Sequence, residues 1–313
     1  MVVTTGLPPG IAVLERGWLS SNNVLLKPAG GGDAVLIDTG YVAHAAQTVE
    51  LVRHALGGSR LARIINTHLH SDHCGGNAAV SAAFGAPISI PPGQWDAVRR
   101  WDEDALTYRP TGQRCARFDA TNRIAPGDRF EVGEDVWRVL AAPGHDPHSI
   151  ALYCESLQTL ISADALWEDG FGIVFPELEG VAAFDEVEQV LDVMSGLAVR
   201  WVIPGHGPPF TDAAGAISRA RSRLATFRAD PRRHAQHASK ALLMFRMLEL
   251  RRGETAAVIG WLIGTPYFSL VRERYFGEVE PAVWAHSIVD QLVRAGHLTK
   301  HENVLAVPTR HDS

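Results

Sequence analysis

The chain has 313 residues, 46% of them hydrophobic and 20% charged, with a net charge of −6. That composition excludes a disordered, collagenous or fibrous protein, and the acidity excludes binding of nucleic acid by whole-chain electrostatics. The length suits one large domain, or one domain plus a smaller one. Three scattered cysteines, Cys74, Cys115 and Cys154, make no disulfide framework and suit a reducing compartment. The opening stretch MVVTTGLPPGIAVLERG has no charged region followed by an apolar one, and no run of 18 apolar residues follows. A cytoplasmic protein without membrane contact is therefore expected.

In chain order, residues 11–14, 23–27 and 34–37 read as short strands parted by glycine-rich turns such as Gly30-Gly31-Gly32-Asp33. Residues 42–56 have helical periodicity and stop at Gly57-Gly58. A buried strand is expected over 61–66, a helix over 77–84 closed by Gly85, and a strand over 87–90. The stretch 91–123 carries Trp95, Trp101 and Tyr108 with little β pattern; it reads equally as a helical excursion or as a lid. Strands follow over 130–141, 150–154 and 159–162, a helix over 181–194, and a strand over 201–204. A helix over 213–228 is ended by Pro231. Beyond it come helices near 237–251, 255–263 and 281–295 and a strand-like tail over 298–307, the order of a winged-helix-like appendage. The expected division is a catalytic part, 1–230, and a C-terminal helical part, 231–313. From Arg232 onward there are 11 Lys+Arg and 8 Asp+Glu, against 18 and 27 before it, so the tail is mildly basic and the first part acidic.

The chemistry concentrates in THLHSDHCGG, residues 67–76. Residues i and i+2 of an extended segment share a side, so His68 and His70 can reach one ion together. Asp72 and His73 follow where the chain turns and can face a second position. Four ionisable groups in one loop are costly to bury unless paired or coordinated, and imidazole with carboxylate is a usual donor set for zinc, iron and manganese. Three later strand ends add His145 in APGHDPHS, Asp164 in LISADALW and His206 in VIPGHGPP. His68, His70 and His145 then serve one metal; Asp72, His73 and His206 serve the other. Asp164 is left to bridge both, with room for a shared water or hydroxide, as two-metal hydrolysis requires. Asp72 is also placed to accept or relay a proton.

This pattern, HxHxDH followed by GH, Asp and GH, resembles the metallo-β-lactamase superfamily over roughly residues 10–209, and Asp38 of VLIDTG matches the family's first motif. The resemblance implies an α/β fold, an αββα sandwich with two divalent metals at one edge. It also implies that Asp38 orients a ligand rather than binding metal. The donor set suits zinc, and equally iron or manganese. With a carboxylate at Asp164 the chain looks most like the glyoxalase II type, which implies hydroxide attack on a thioester or ester carbonyl of a small molecule. A lactonase or β-lactamase ranks lower, as does a di-iron redox or sensor protein. The alternative is a β-lactamase-like RNA endonuclease whose winged-helix segment uses Arg232, Arg233, Lys240, Arg246, Arg251 and Arg252. Against it stand the acidic chain and the lack of interleaved stacking aromatics; a helical cap or a homodimer face is preferred for the tail. Trp167, Phe171, Phe175 and, in the lid reading, Trp95 are pocket-wall candidates. His148 reads as an exposed loop residue or a donor to substrate, and Cys74 as a small packed residue.

Overall fold

The computed structural model describes residues 2–3, 6–28 and 30–308; both outer ends of the expected division, Met1 and 309–313, lie outside them. One sheet holds β1 (Val2–Val3), β2 (Ile11–Leu14), β3 (Asn23–Leu26), β4 (Asp33–Ile37), β5 (Arg60–Ile65), β6 (Ile88–Ile90) and β7 (Asn122–Arg123), side by side in chain order. It is antiparallel from β1 to β4 and parallel from β4 to β7. Its crossovers carry α1 (Ala45–Leu56), α2 (Ser71–Cys74), α3 (Asn77–Phe84), α4 (Trp95–Arg100) and α5 (Tyr108–Thr111). The second sheet joins β8 (Arg129–Val132), β9 (Asp135–Ala141), β10 (Ile150–Cys154), β11 (Thr159–Ala163) and β12 (Trp201–Pro204) in the order β12-β11-β10-β9-β8. Between β11 and β12 run α6 (Phe175–Glu179) and α7 (Phe184–Ser195); α8 (Ala213–Ala229) follows β12.

Strand alternation builds the layers. Val13, Val24, Val35 and Ile65 meet Val139, Leu152, Ile161 and Ile203 between the sheets. Their neighbours Leu14, Leu25, Leu36 and Ile64 turn outward onto Val52, Leu56 and Val80 of the crossover helices. On the second sheet Tyr153, Leu160 and Val202 turn onto Leu191 and Leu224 of α7 and α8. Sheets buried on both faces need apolar residues at every position, which is why the strands read as near-continuous apolar runs. The result is the expected αββα arrangement.

The C-terminal segment contains α9 (Pro231–Leu250), β13 (Arg252–Glu254), α10 (Thr255–Gly264), α11 (Pro266–Phe276), α12 (Pro281–Arg294), β14 (Thr299–His301) and β15 (Val304–Ala306). Its small sheet has the order β13-β15-β14, so the helices and hairpin have winged-helix-like topology around their own core of Leu243, Val258, Phe268 and Ile288. Tyr41 Oη donates to Glu249 Oε1 at 3.0 Å and Arg114 Nε to the same oxygen at 2.8 Å, tying α9 to the sandwich. Among the described residues no helix is long and apolar enough to cross a membrane.

Three elements differ from the sequence reading. The strand expected over 130–141 is a hairpin, β8 and β9, because Gly133 takes φ +64° and lets the chain reverse. Pro231 starts α9 instead of only ending α8, and Pro266 starts α11, an unforeseen helix. Proline at the first helical position lacks only an N–H that would have no partner there, so each proline separates two helices and opens the second.

His234 of α9 is buried, and its Nε2 accepts from Val174 N at 3.1 Å. Burial, then His237, pushes this imidazole down to about 3 from its ordinary 6.5. The unfolded chain therefore binds a proton below about pH 6.5 that the folded chain refuses, so stability falls as pH falls through that window. By pH 5 the loss is about 2 kcal/mol. Denaturant midpoints at pH 7 and pH 5 should diverge less in His234→Gln than in the parent chain; equal divergence would refute the assignment.

Candidate metal centre

Two parallel pairs of strands, one in each sheet, lead into the site. β4 leads to Asp38, β5 to His68, β11 to Asp164 and β12 to His206; the carboxyl ends of parallel strands are where such folds place their ligands. The antiparallel strand β9 leads to His145. Asp38 and Ala163 carry positive φ, 57° and 46°, so the chain turns sharply beside both aspartates.

The structure brings all seven expected ligands together in two groups. In the first, His70 Nδ1 lies 3.1 Å from His68 Nε2 and 2.8 Å from His145 Nε2. The second gathers Asp72, His73, Asp164 and His206, with His206 Nε2 3.0 Å from Asp72 Oδ2. Asp164 Oδ2 lies between the groups, 3.4 Å from both His73 Nε2 and His145 Nε2 and 3.9 Å from His206 Nε2. Asp38 stands behind them. Its carboxylate accepts from Thr67 N at 2.9 Å and Thr67 Oγ1 at 2.8 Å and faces His73 Nδ1 at 2.8 Å. With Nδ1 held by Asp38, His73 aims Nε2 at the site.

These residues fit divalent ions. His73 Nε2 is buried and has no hydrogen-bond partner, an atom that needs a ligand. Burial would lower the His73 pKa, but Asp164, Asp38 and Asp72 outweigh it and raise it well above the ordinary value. Burial would raise Asp164, yet His73 and His206 hold it well below the carboxylate range. The pocket thus calls for positive charge, which a divalent ion would supply in place of a proton. In the other group burial and neighbouring imidazoles lower His68, and push His145 down to about 4, keeping both neutral and able to ligate.

Small residues make the space. A Cβ on Gly172 would lie 2.5 Å from His145 Nδ1, and one on Gly205 2.1 Å from Asp164 Oδ1. Trp167 Nε1 donates to Asp164 Oδ1 at 3.2 Å. That engages one carboxylate oxygen and leaves Oδ2 for both groups. Trp167→Phe keeps an aromatic ring, though a smaller one, and removes the donor; a loss of about 10-fold in affinity for the second metal is expected, read by titration with a chromophoric chelator. Unchanged affinity would reduce Trp167 to a wall.

A cavity of about 700 Å³ opens on the site, with His70, Asp72, His145, Asp164 and His206 on its floor. Trp167 and Phe175 form walls, Phe175 lying 4.9 Å from the His70 ring. The other pocket candidates sit elsewhere. Phe171 is buried in the core against Phe227. Trp95 packs on the outer helical layer beneath Arg123, and exposed His148 packs against Gly93. From 91–123 only Thr107, Thr111 and Gln113 reach the cavity; Trp101 packs on Phe118, and Tyr108 is buried with its hydroxyl on Leu69 O. Cys74 is buried.

Sequence reasoning missed two contributors. Trp18, 60% exposed, stacks on the His206 ring at 5.2 Å, far from any motif. Asp146 places Oδ2 3.8 Å from His70 Nε2; its position directly after His145 was the available signal.

The model of the metallo-beta-lactamase superfamily matches residues 16–237. A hydroxyacylglutathione hydrolase of Anaeromyxobacter dehalogenans is 32% identical over 160 residues, 51% of this chain and 52% of that protein. Another from Polaromonas sp. is 31% identical over 168 residues, 52% and 55% of the two chains. The chain thus spans about half the length of these two relatives. Among solved structures, a metallo-beta-lactamase family protein of Thermus thermophilus aligns with TM-score 0.58 at 20% identity, covering 96% of this chain and 99% of that one. The FEZ-1 metallo-beta-lactamase of Legionella gormanii aligns with TM-score 0.58 at 13% identity, covering 73% and 95%. Likeness at these identities concerns the fold alone.

Proposed function

The chain belongs to the metallo-beta-lactamase superfamily, and from that membership we propose a dinuclear-metal hydrolase that cleaves a small thioester or ester. One observation carries the reading: Asp164 Oδ2 faces ring nitrogens of both ligand groups at 3.4 Å. Zinc suits the six imidazole and carboxylate donors around it. When bound, two such ions supply Lewis acidity and lower the pKa of a water toward neutrality.

The chain's own residues do the rest. Asp38 fixes the His73 tautomer, and Asp164, steadied by Trp167, sets the spacing of the two groups. Asp72 lies on the cavity floor, where it can accept a proton from the attacking water. Burial raises its pKa, but His73 and His206 prevail and lower it, so Asp72 stands as a carboxylate near neutral pH. A thiolate, with a conjugate acid near pKa 8.5, is by itself a far better leaving group than an amine anion.

The C-terminal segment supports a small-molecule reading. Arg232, Arg233 and Arg246 are paired with Glu278, Asp230 and Glu249, and Lys240 faces the cavity. Little is left of a basic track for a phosphate backbone.

The test is initial-rate hydrolysis of S-lactoylglutathione and of longer acyl thioesters by zinc-loaded protein. Turnover of any thioester that chelation abolishes and zinc restores supports the reading. Stoichiometric zinc with no thioester or ester turnover would refute it.

A further inference from the structure

The C-terminal segment does more than cover the sandwich. Along α9, His237, Lys240, Ala241, Met244, Phe245 and Leu248 line the cavity. Their spacing of three and four residues puts them on one helical face. The opposite face, with Ala235, Ala238, Leu243 and Met247, is buried in the segment's own core. The helix therefore has two apolar faces, one in the core and one over the metal site. An apolar surface left open above a polar floor is a binding surface.

Two cations interrupt it. Arg223 of α8 lines the cavity, half-buried; its guanidinium rests against the 167–170 turn, where a Cβ on Gly170 would lie 2.5 Å from Nη1. Lys240 lines the cavity from α9. Among the described residues neither forms a hydrogen bond or an ion pair, although arginines of the same helices are paired: Arg219 with Asp169 and Asp212, Arg228 with Asp185 and Glu188. Glu168 and Asp169 stand at the rim, exposed; Asp169 is near enough to favour the Arg223 charge, but its ion pair is with Arg219. Between the cations, His237 is pushed down to about 4 by burial, then by Arg223 and Lys240, so it stays neutral and leaves the anion to them. A half-buried guanidinium with no direct ion pair is costly; a ligand that supplies the contact recovers part of that cost.

Resting on the hydrolase reading, we infer that the substrate is an amphipathic anion. Its long alkyl or aryl body lies against Met244, Phe245 and Leu248, and a carboxylate or phosphate on it is held by Arg223 and Lys240. This differs from a substrate with a short polar acyl group, which would leave the α9 face unfilled.

The test uses zinc-loaded full-length protein and two thioesters that differ in one charge, S-octanoyl-3-mercaptopropionate and its methyl ester. A 10-fold or greater preference in kcat/KM for the free acid is expected, the worth of one charge-assisted contact. The preference should vanish in Arg223→Met/Lys240→Met, which keeps the apolar stems, while the methyl ester is turned over as before. Octanoyl should exceed acetyl by at least 10-fold. Absence of either preference, or equal slowing of both esters in the variant, would overturn the inference while leaving a hydrolase. If no thioester is cleaved, calorimetric binding separates the two ideas. Octanoate or octyl phosphate bound tenfold more weakly by the double variant, with octanol bound poorly by both proteins, sustains the inference alone and tells carboxylate from phosphate. Affinity unchanged by the variant overturns it.

Discussion

Asp164→Asn should lower turnover by about 10³-fold and reduce bound zinc from two ions toward one, while leaving the fold intact. The substitution is isosteric, so the contact with Trp167 Nε1 at 3.2 Å decides its orientation. If the amide oxygen stays on the indole, Nδ2 replaces Oδ2 opposite His73 and His145 and presents a donor where a ligand is needed. If the amide flips, its NH₂ meets the indole N–H. Either way one contact of the carboxylate is spoiled, and the negative charge between the two ligand groups is gone. Changes beside a metal ligand cost 10- to 100-fold; losing the shared ligand costs more. Metal analysis and initial rates on one preparation check this, with circular dichroism for the fold. Two tightly bound ions and undiminished turnover would remove Asp164 from its role.

Gly205→Ala should damage the site almost as severely, by crowding instead of by chemistry. Gly205 has no positive φ, so alanine is compatible with its backbone. Its Cβ, however, would lie 2.1 Å from Asp164 Oδ1 and 3.1 Å from His73 Cε1. The loop cannot retreat: Gly205 N donates to Ala163 O at 2.8 Å, and Gly205 O accepts from Asn22 N at 2.6 Å. The carboxylate must swing away, breaking its contact with Trp167. A loss of about 2 kcal/mol in stability and at least 100-fold in turnover is expected, measured by denaturant unfolding and steady-state rates. Near-normal rates would show that the aspartate has room the packing denies it.

How much of this was legible in the sequence depended on range. The seven candidate ligands were readable because each lies within a few residues of a strand's end or in the loop that follows it, and apolar runs that stop at glycine or proline mark those ends locally. The sandwich was readable for the same reason, since β-strands buried on both faces leave runs such as NVLL and TLIS. Errors fell where one residue type serves two ends of a helix. Pro231 and Pro266 stop one element and start the next, and in single-sequence reading the stop is the louder signal.

The sequence by itself determined the donor set, its order and its division into two groups, because ligand chemistry is written in residue type and i, i+2 spacing. Only the tertiary structure decided what the site meets. Trp18 reaches His206 from the far end of the sandwich's chain, Arg223 and Lys240 come together from separate helices, and α9 turns one apolar face to its core and the other to the candidate metal site. Those choices follow from how whole elements pack, and packing across such separations leaves no periodic trace in the chain.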